Sequence, residues 1–153
     1  PRRTQLDWVT AKVLKVAEGA ALMTGSKVAW HAFELGTDNM MPSDSLSLAF
    51  GSNLQRLGVT DIEEFCEGRG SSDMGNVSRV VPAIHPYLSI GDGLIAHTAE
   101  FAQASQGPQG LQVAVLAAKA LAHTAVDLLT DPSILEAARR EHRRLLSKES
   151  GTL

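Results

Sequence analysis

Residues 111–129 constrain the fold more than any other part of the chain, because Lys119, His123 and Asp127 are the only ionisable residues in a largely apolar run. A stretch this long approaches the roughly 20 apolar residues that a membrane span requires. The three ionisable side chains recur every four residues, so they share one stripe of a helix whose remaining surface is apolar. That pattern predicts the core helix of a soluble protein, buried on most of its girth, and no membrane partner. A chain of 153 residues that is 44% apolar has the length and composition of a single domain with a real core.

The preceding residues alternate between helical and extended patterns. Across 6–23, Leu6, Val9, Val13, Val16, Ala20 and Met23 follow steps of three and four, and Gly25 stands where such a helix would stop. Residues 27–35 place Val28, Trp30 and Ala32 opposite Ala29, His31 and Phe33, which reads as a strand covered on both faces. A second helix is expected over 43–57, with Ser43 or Asp44 as N-cap, Leu46, Phe50, Leu54 and Leu57 inward, and Gly58 as its stop. Residues 60–75 are polar and glycine-rich, the composition of a loop near a site. Residues 77–90 are rich in β-branched side chains and interrupted by Pro82 and Pro86, which predicts two short extended pieces at a sheet edge. Gly91, Asp92 and Gly93 make a turn, residues 106–110 break the chain, and Asp131 with Pro132 opens a last helix. Its arginines 139, 140, 143 and 144 read as a solvated face. This order of elements is an α/β or α+β pattern.

Charge and aromatic content narrow the function. Fourteen Lys and Arg against 17 Asp and Glu give a net charge of −3, and the seven aromatic residues supply few stacking surfaces. Neither phosphate neutralisation nor base stacking is advertised, so nucleic acid is not an expected partner. The single cysteine, Cys66, makes no internal disulfide and suits a reducing, cytoplasmic setting. Residues 1–7 lack an initiator Met and the apolar core of a signal peptide, so the chain reads as the middle of a longer one.

Few groupings of residues suggest chemistry by spacing alone. Ser72 has Gly70 two positions before it but Met74 two after, so it does not make a nucleophile elbow, and the segment reads as a loop capped by Ser and Asp side chains. No thiol-protease signature surrounds Cys66, which reads as structural. His123 and His142 fall on helices and His31 on the expected strand. His85 and His97 lie beside glycine-bearing turns, a better setting for a ligand. A catalytic zinc takes three protein ligands, and no paired metal-binding spacing occurs.

Three segments taken together resemble a known superfamily. They are Gly70-Ser71-Ser72-Asp73-Met74-Gly75-Asn76-Val77-Ser78, Val81-Pro82-Ala83-Ile84-His85-Pro86-Tyr87 and Ala96-His97-Thr98-Ala99-Glu100-Phe101. They resemble the C-terminal part of the two-metal aminoacylase and glutamate-carboxypeptidase superfamily. The nearest branch is that of the Xaa-Arg (β-alanyl-lysine) dipeptidases and p-aminobenzoyl-glutamate hydrolases. The likeness continues through residues 118–122 and 127–129, and more weakly back through 19–25.

This resemblance implies an α/β fold: part of an αβα-sandwich metallopeptidase catalytic domain over 41–153, preceded over 1–40 by the last helix and strand of an α+β lid that mediates homodimerisation. It implies hydrolysis of an amide bond in a dipeptide or N-acyl amino acid with two divalent ions, zinc with manganese or cobalt as alternatives. His97 falls on the superfamily's final metal ligand, and Gly70, Ser71, Ser72, Asp73, Asn76 and His85 on residues lining the cleft. The superfamily's other metal ligands and its general-base glutamate lie upstream of the matched part, and the Glu63-Glu64 pair occurs in the wrong order to replace them. The chain is thus expected to be a C-terminal fragment that supplies one ligand and no catalytic base. Alone it should bind metal weakly and be inactive, with part of its apolar surface left exposed. The alternative is a non-catalytic assembly module derived from a truncated hydrolase.

Overall fold

The computed structural model describes residues 3–63 and 71–150. Gly70, Cys66 and the Glu64 of the glutamate pair lie outside the described residues. Among the described residues six helices account for the regular structure: α1 (Arg3–Thr24), α2 (Asp44–Arg56), α3 (Met74–Val80), α4 (Ala99–Gln106), α5 (Pro108–Thr130) and α6 (Pro132–Ser150).

Local chemistry sets the helix ends. Ser43 caps α2 by accepting the Leu46 N–H, and Asp131 caps α6 by accepting the Ser133 N–H at 3.0 Å. At the other end of α2, Gly58 takes φ +92°, and the Val59 N–H donates to the Leu54 carbonyl at 3.0 Å. This paired closure requires a left-handed residue, which glycine supplies without a Cβ clash. Val59 then folds back on the core beside Leu54.

The core sits where α2, α5 and α6 meet, with Phe50 and Leu54 of α2 against Ala120 of α5 and with Leu57, Ile84, Leu88 and Leu116 around them. Ala120 and Ala138 are wholly buried, and their small side chains let the helices approach closely. The interior is also polar. Asn53, fully enclosed, donates to Thr124 Oγ1 at 3.2 Å and to Asp127 Oδ2 at 2.7 Å, joining α2 to α5. His142 of α6 places Nε2 2.8 Å from the Ser78 carbonyl, and so carries its proton on that nitrogen.

Three expectations are corrected. The α/β fold class fails: among the described residues there is no strand, hence no αβα sandwich and no α+β lid strand. A single parallel bridge, between Pro42 and Ala83, is the whole of the β pairing among those residues. Residues 27–35 leave the helix as expected, yet among the described residues no second segment pairs with them to take their backbone groups. Trp30 and Phe33 stand 61% and 86% exposed. Strand pairing is non-local, so alternation alone does not create a sheet. Second, residues 74–80 are helical despite their valines. Ser72 Oγ accepts the Met74 N–H at 3.2 Å, and Ser78 folds its hydroxyl back on the Gly75 carbonyl, both favouring a turn of helix over a strand. The helix ends at Val81, where the following Pro82 disfavours further helix.

Third, α5 is not buried on most of its girth. It is long and apolar enough to cross a membrane by length and composition, and 11% of its most apolar window is buried. One stripe, through Leu116, Ala120, Thr124 and Asp127, meets α2, while Leu111, Val115, Val126 and Leu129 face outward. The apolar stripe of α1, through Val9, Val13 and Val16, is likewise exposed.

Candidate functional site

Two loops carrying four of the residues singled out by sequence are held side by side. The first, 71–73, leads into α3. The second, 82–87, is fastened by the Ser43 N–H donating to the Ala83 carbonyl at 3.0 Å, and by Ile84 and Leu88 packing on the core. Their meeting point is Ser72, whose Oγ lies 3.4 Å from His85 Nδ1 and 3.5 Å from Asp73 Oδ1.

The individual roles differ. Asp73 occupies the N-cap position of α3 with a helical backbone, and its carboxylate makes no capping bond. Its carbonyl, by contrast, accepts the Asn76 N–H at 2.9 Å. Asn76 is spent structurally: its Oδ1 accepts the Asp38 N–H at 2.7 Å and its Nδ2 donates to the Gly36 carbonyl at 3.0 Å. These bonds press the 36–38 segment onto Gly75, where any Cβ would strike the Asp38 carbonyl. Ser71 is exposed beside the loop. His85 is exposed, and its ring lies 5.0 Å from that of Tyr87 at a 36° tilt.

His97 stands apart from this chain of contacts, with no hydrogen bond to it among the described residues. It has a positive φ of 67°, the sole non-glycine in that region among the described residues. Such a conformation costs of order 1–3 kcal/mol and persists where neighbours impose it. Here Thr98 fixes the turn, donating to the Ile95 carbonyl at 2.8 Å and accepting the Phe101 N–H at 3.2 Å as the N-cap of α4. The exposed imidazole therefore projects from a turn locked on one side by a helix cap.

Behind the first loop lies an ionic cluster that sequence reading missed. Arg79 of α3 donates to Glu149 of α6 at 2.6 Å, and Asp38 pairs with both Arg79 and Arg3. The Arg79 Nε, buried and misaligned for a hydrogen bond, is compensated by charge, 3.3 Å from Asp38 Oδ2. A second carboxylate, Glu141, receives the hydroxyls of Ser43 and Ser45 and the Ser45 N–H at the start of α2. Burial pushes this carboxyl up, but those bonds outweigh it and leave it below its ordinary value. Nothing in the separation of 38, 79 and 149 along the chain signals their meeting. Tyr87 was legible in principle, since in an extended segment it shares a side with His85 two residues earlier.

No protein-family model matches the chain. Over an aligned length of 153 residues it is 38% identical to a Mus musculus protein named Xaa-Arg dipeptidase, covering 97% of this chain and 35% of that protein. A Homo sapiens protein of the same name is 35% identical over 152 residues, with the same coverage of both chains. The chain spans about a third of the length of the curated relatives it matches.

Proposed function

We propose, on the premise that this chain is homologous to Xaa-Arg dipeptidases along 97% of its own length, that it is the C-terminal part of a dipeptidase-like metallohydrolase. The whole polypeptide would cleave the amide bond of a dipeptide or N-acyl amino acid in the cytoplasm, residues 1–40 belonging to a lid that pairs two copies and 41–153 to the catalytic domain. The observation that carries the reading is the similarity itself, which runs through the 70–78, 81–87 and 96–101 segments.

Among the described residues no three His, Cys, Asp or Glu side chains converge. Those residues alone therefore do not make a metal site. His97 fits the part of one ligand: its ring is exposed, no hydrogen bond engages it among the described residues, and its backbone is held by the α4 cap. A bound pair of zinc ions, or manganese or cobalt in their place, would supply a polarised carbonyl and a water of lowered pKa. This chain's own residues orient the substrate, with Ser72 steadying the His85 imidazole and the Asp73 carboxylate at one wall of the cleft.

The test is the longer protein assayed with zinc or manganese on dipeptides and N-acyl amino acids. His97→Ala should lower both bound metal and turnover by at least about tenfold, since even a residue that only orients a metal ligand is worth about 10–100-fold. Unchanged metal content and turnover would refute the assignment. The exposed apolar faces of α1 and α5 favour a second reading, a non-catalytic assembly module. That reading holds if the longer protein hydrolyses none of these substrates yet still associates through those faces.

A further inference from the structure

We propose that Arg3, Asp38, Arg79 and Glu149 form a salt-sensitive clasp that sets how α1 stands against the rest of the molecule, with the Arg3–Asp38 link as the half that opens.

What the clasp holds is an arm. Helices α2, α4, α5 and α6 pack on one another, and α1 takes no substantial part in that packing. Trp8, Val13 and Val16 stand exposed along it. At its far end Gly25, with φ +66°, turns the chain into residues 27–35, which pair with no strand among the described residues. The arm therefore depends on its base, where residue 3 returns to residues 38 and 39. There Arg3 Nη1 donates to Asp38 Oδ1 at 2.9 Å, and the Arg3 backbone N–H donates to Asn39 Oδ1 at 3.2 Å. Asp7, one turn further on, accepts from Arg3 Nε at 3.1 Å and holds the guanidinium in the orientation that reaches Asp38.

The base itself is fastened to the core. Asp38 Oδ2 lies 3.3 Å from Arg79 Nε, Arg79 donates to Glu149 at 2.6 Å, and Asn39 Nδ2 donates to Glu149 Oε1 at 3.0 Å. The Asp38 N–H is held by Asn76 at 2.7 Å. Asp38 thus serves two cations with its two oxygens, Arg79 on the inside and Arg3 on the outside.

Exposure separates the two links. The Arg79 side chain is 21% exposed and that of Arg3 41%. Mobile ions screen an exposed pair far more than a buried one, and the exposed pair also bears the cost of ordering a long side chain. Rising salt therefore loosens Arg3 from Asp38 while Arg79 keeps Asp38 and Glu149 together. The arm is left with the neutral bond to Asn39, and the core is untouched. The result is a change in where the apolar face of α1 points, driven by ionic strength and without unfolding.

The experiment is a double electron–electron resonance measurement on the 153-residue chain in a Cys66→Ser background, with nitroxides at Lys15→Cys on α1 and Arg143→Cys on α6, both exposed positions. In about 0.1 M salt the distance distribution should have one main component, and in about 1 M salt, where the screening length falls from about 10 Å to about 3 Å, a displaced or broadened component should grow. Its share should rise about two- to fivefold, the scale of one part-exposed ion pair. Arg3→Gln and Asp38→Asn should each show that larger share already in about 0.1 M salt and respond little to further salt. Arg56→Gln, which removes an ion pair outside the clasp, should behave as the parent does. The urea midpoint of the Arg3→Gln variant, followed by circular dichroism, should match the parent, since the core keeps its contacts. A distribution indifferent to salt and to Arg3→Gln, a salt response of full size that persists in Arg3→Gln, or a lowered urea midpoint in that variant overturns the proposal. Neither metal nor turnover enters the measurement, so its failure leaves the hydrolase reading standing, and failure of that reading leaves the clasp standing.

Discussion

Replacing Asn53 by alanine should cost about 2–4 kcal/mol of stability, because its side-chain amide is the polar rivet between α2 and α5. Asn53 is fully enclosed and donates at 2.7 Å to the Asp127 carboxylate and at 3.2 Å to Thr124 Oγ1. A bond to a charged acceptor contributes about 1.5–3 kcal/mol and a neutral one about 1 kcal/mol, and the vacated space adds a small cavity cost. Two features limit the loss. Thr124 keeps its own bond to the Ala120 carbonyl at 2.8 Å, and Asp127, about a third exposed, has Arg56 Nη1 3.7 Å away. Urea unfolding followed by circular dichroism at fixed pH measures the change, with an unaltered denaturant slope as the check that the unfolded state is unaffected. The same substitution made in an Asp127→Ala background should cost at least about 1 kcal/mol less, since the charged acceptor is already gone. A loss below about 0.5 kcal/mol, or strict additivity of the two substitutions, would refute the view that this amide joins the helices.

Other outcomes follow from the same geometry. Glu141 is held below its ordinary carboxyl range in the folded state, so its contribution is present above the unfolded value near 4.5 and fades as pH falls through the lower folded value. Urea midpoints between about pH 3 and pH 6 should therefore rise with pH, and Glu141→Gln should flatten that rise. Gly75→Ala should destabilise by about 2 kcal/mol or more, read as a drop in Tm, because the new methyl meets the backbone of Asp38 rather than a movable side chain. Ala120→Leu should cost about 1–3 kcal/mol by overpacking the wholly buried contact with α2, whereas Val115→Leu on the outward face of α5 should leave the urea midpoint within error.

Helix termini were legible because capping is a conversation between near neighbours. Ser43, Gly58 and Asp131 each act within five residues of themselves, and the sequence carries both partners in plain order. Pairing was not legible for the opposite reason. The alternation over 27–35 records which side chains are apolar but not whether another segment arrives to accept the backbone, and none does among the described residues. The composition of α5 was similarly double-edged: an apolar helix states that burial would be favourable, while the extent of burial depends on how many neighbours reach it. The candidate site divides along the same line. His97 and its Thr98 cap are contiguous and could be singled out together, whereas the approach of Ser72 to His85, thirteen positions away, depends on the Ala83 anchor to Ser43.

That anchor also explains why the wall bearing Asp73 and the turn bearing His97 should respond differently to mutation. The 71–73 loop is backed by α3, and α3 is fastened from three sides. Asn76 holds the 36–38 segment, Ser78 takes the Met41 N–H at 3.0 Å and meets His142, and Arg79 reaches Glu149 at the far end of α6. These bonds cross from α3 to the 36–38 segment, to Met41 and to α6, so substitutions as remote as residue 149 act on the loop through α3. The His97 turn is held by the Thr98 side chain, through its local bonds to Ile95 and Phe101. On the proposed reading, a site assembled from these two parts would have one wall whose geometry is stored in tertiary contacts and one ligand whose geometry is stored in a single turn. Damage to the core should therefore displace Asp73 and His85 before it disturbs the conformation at His97.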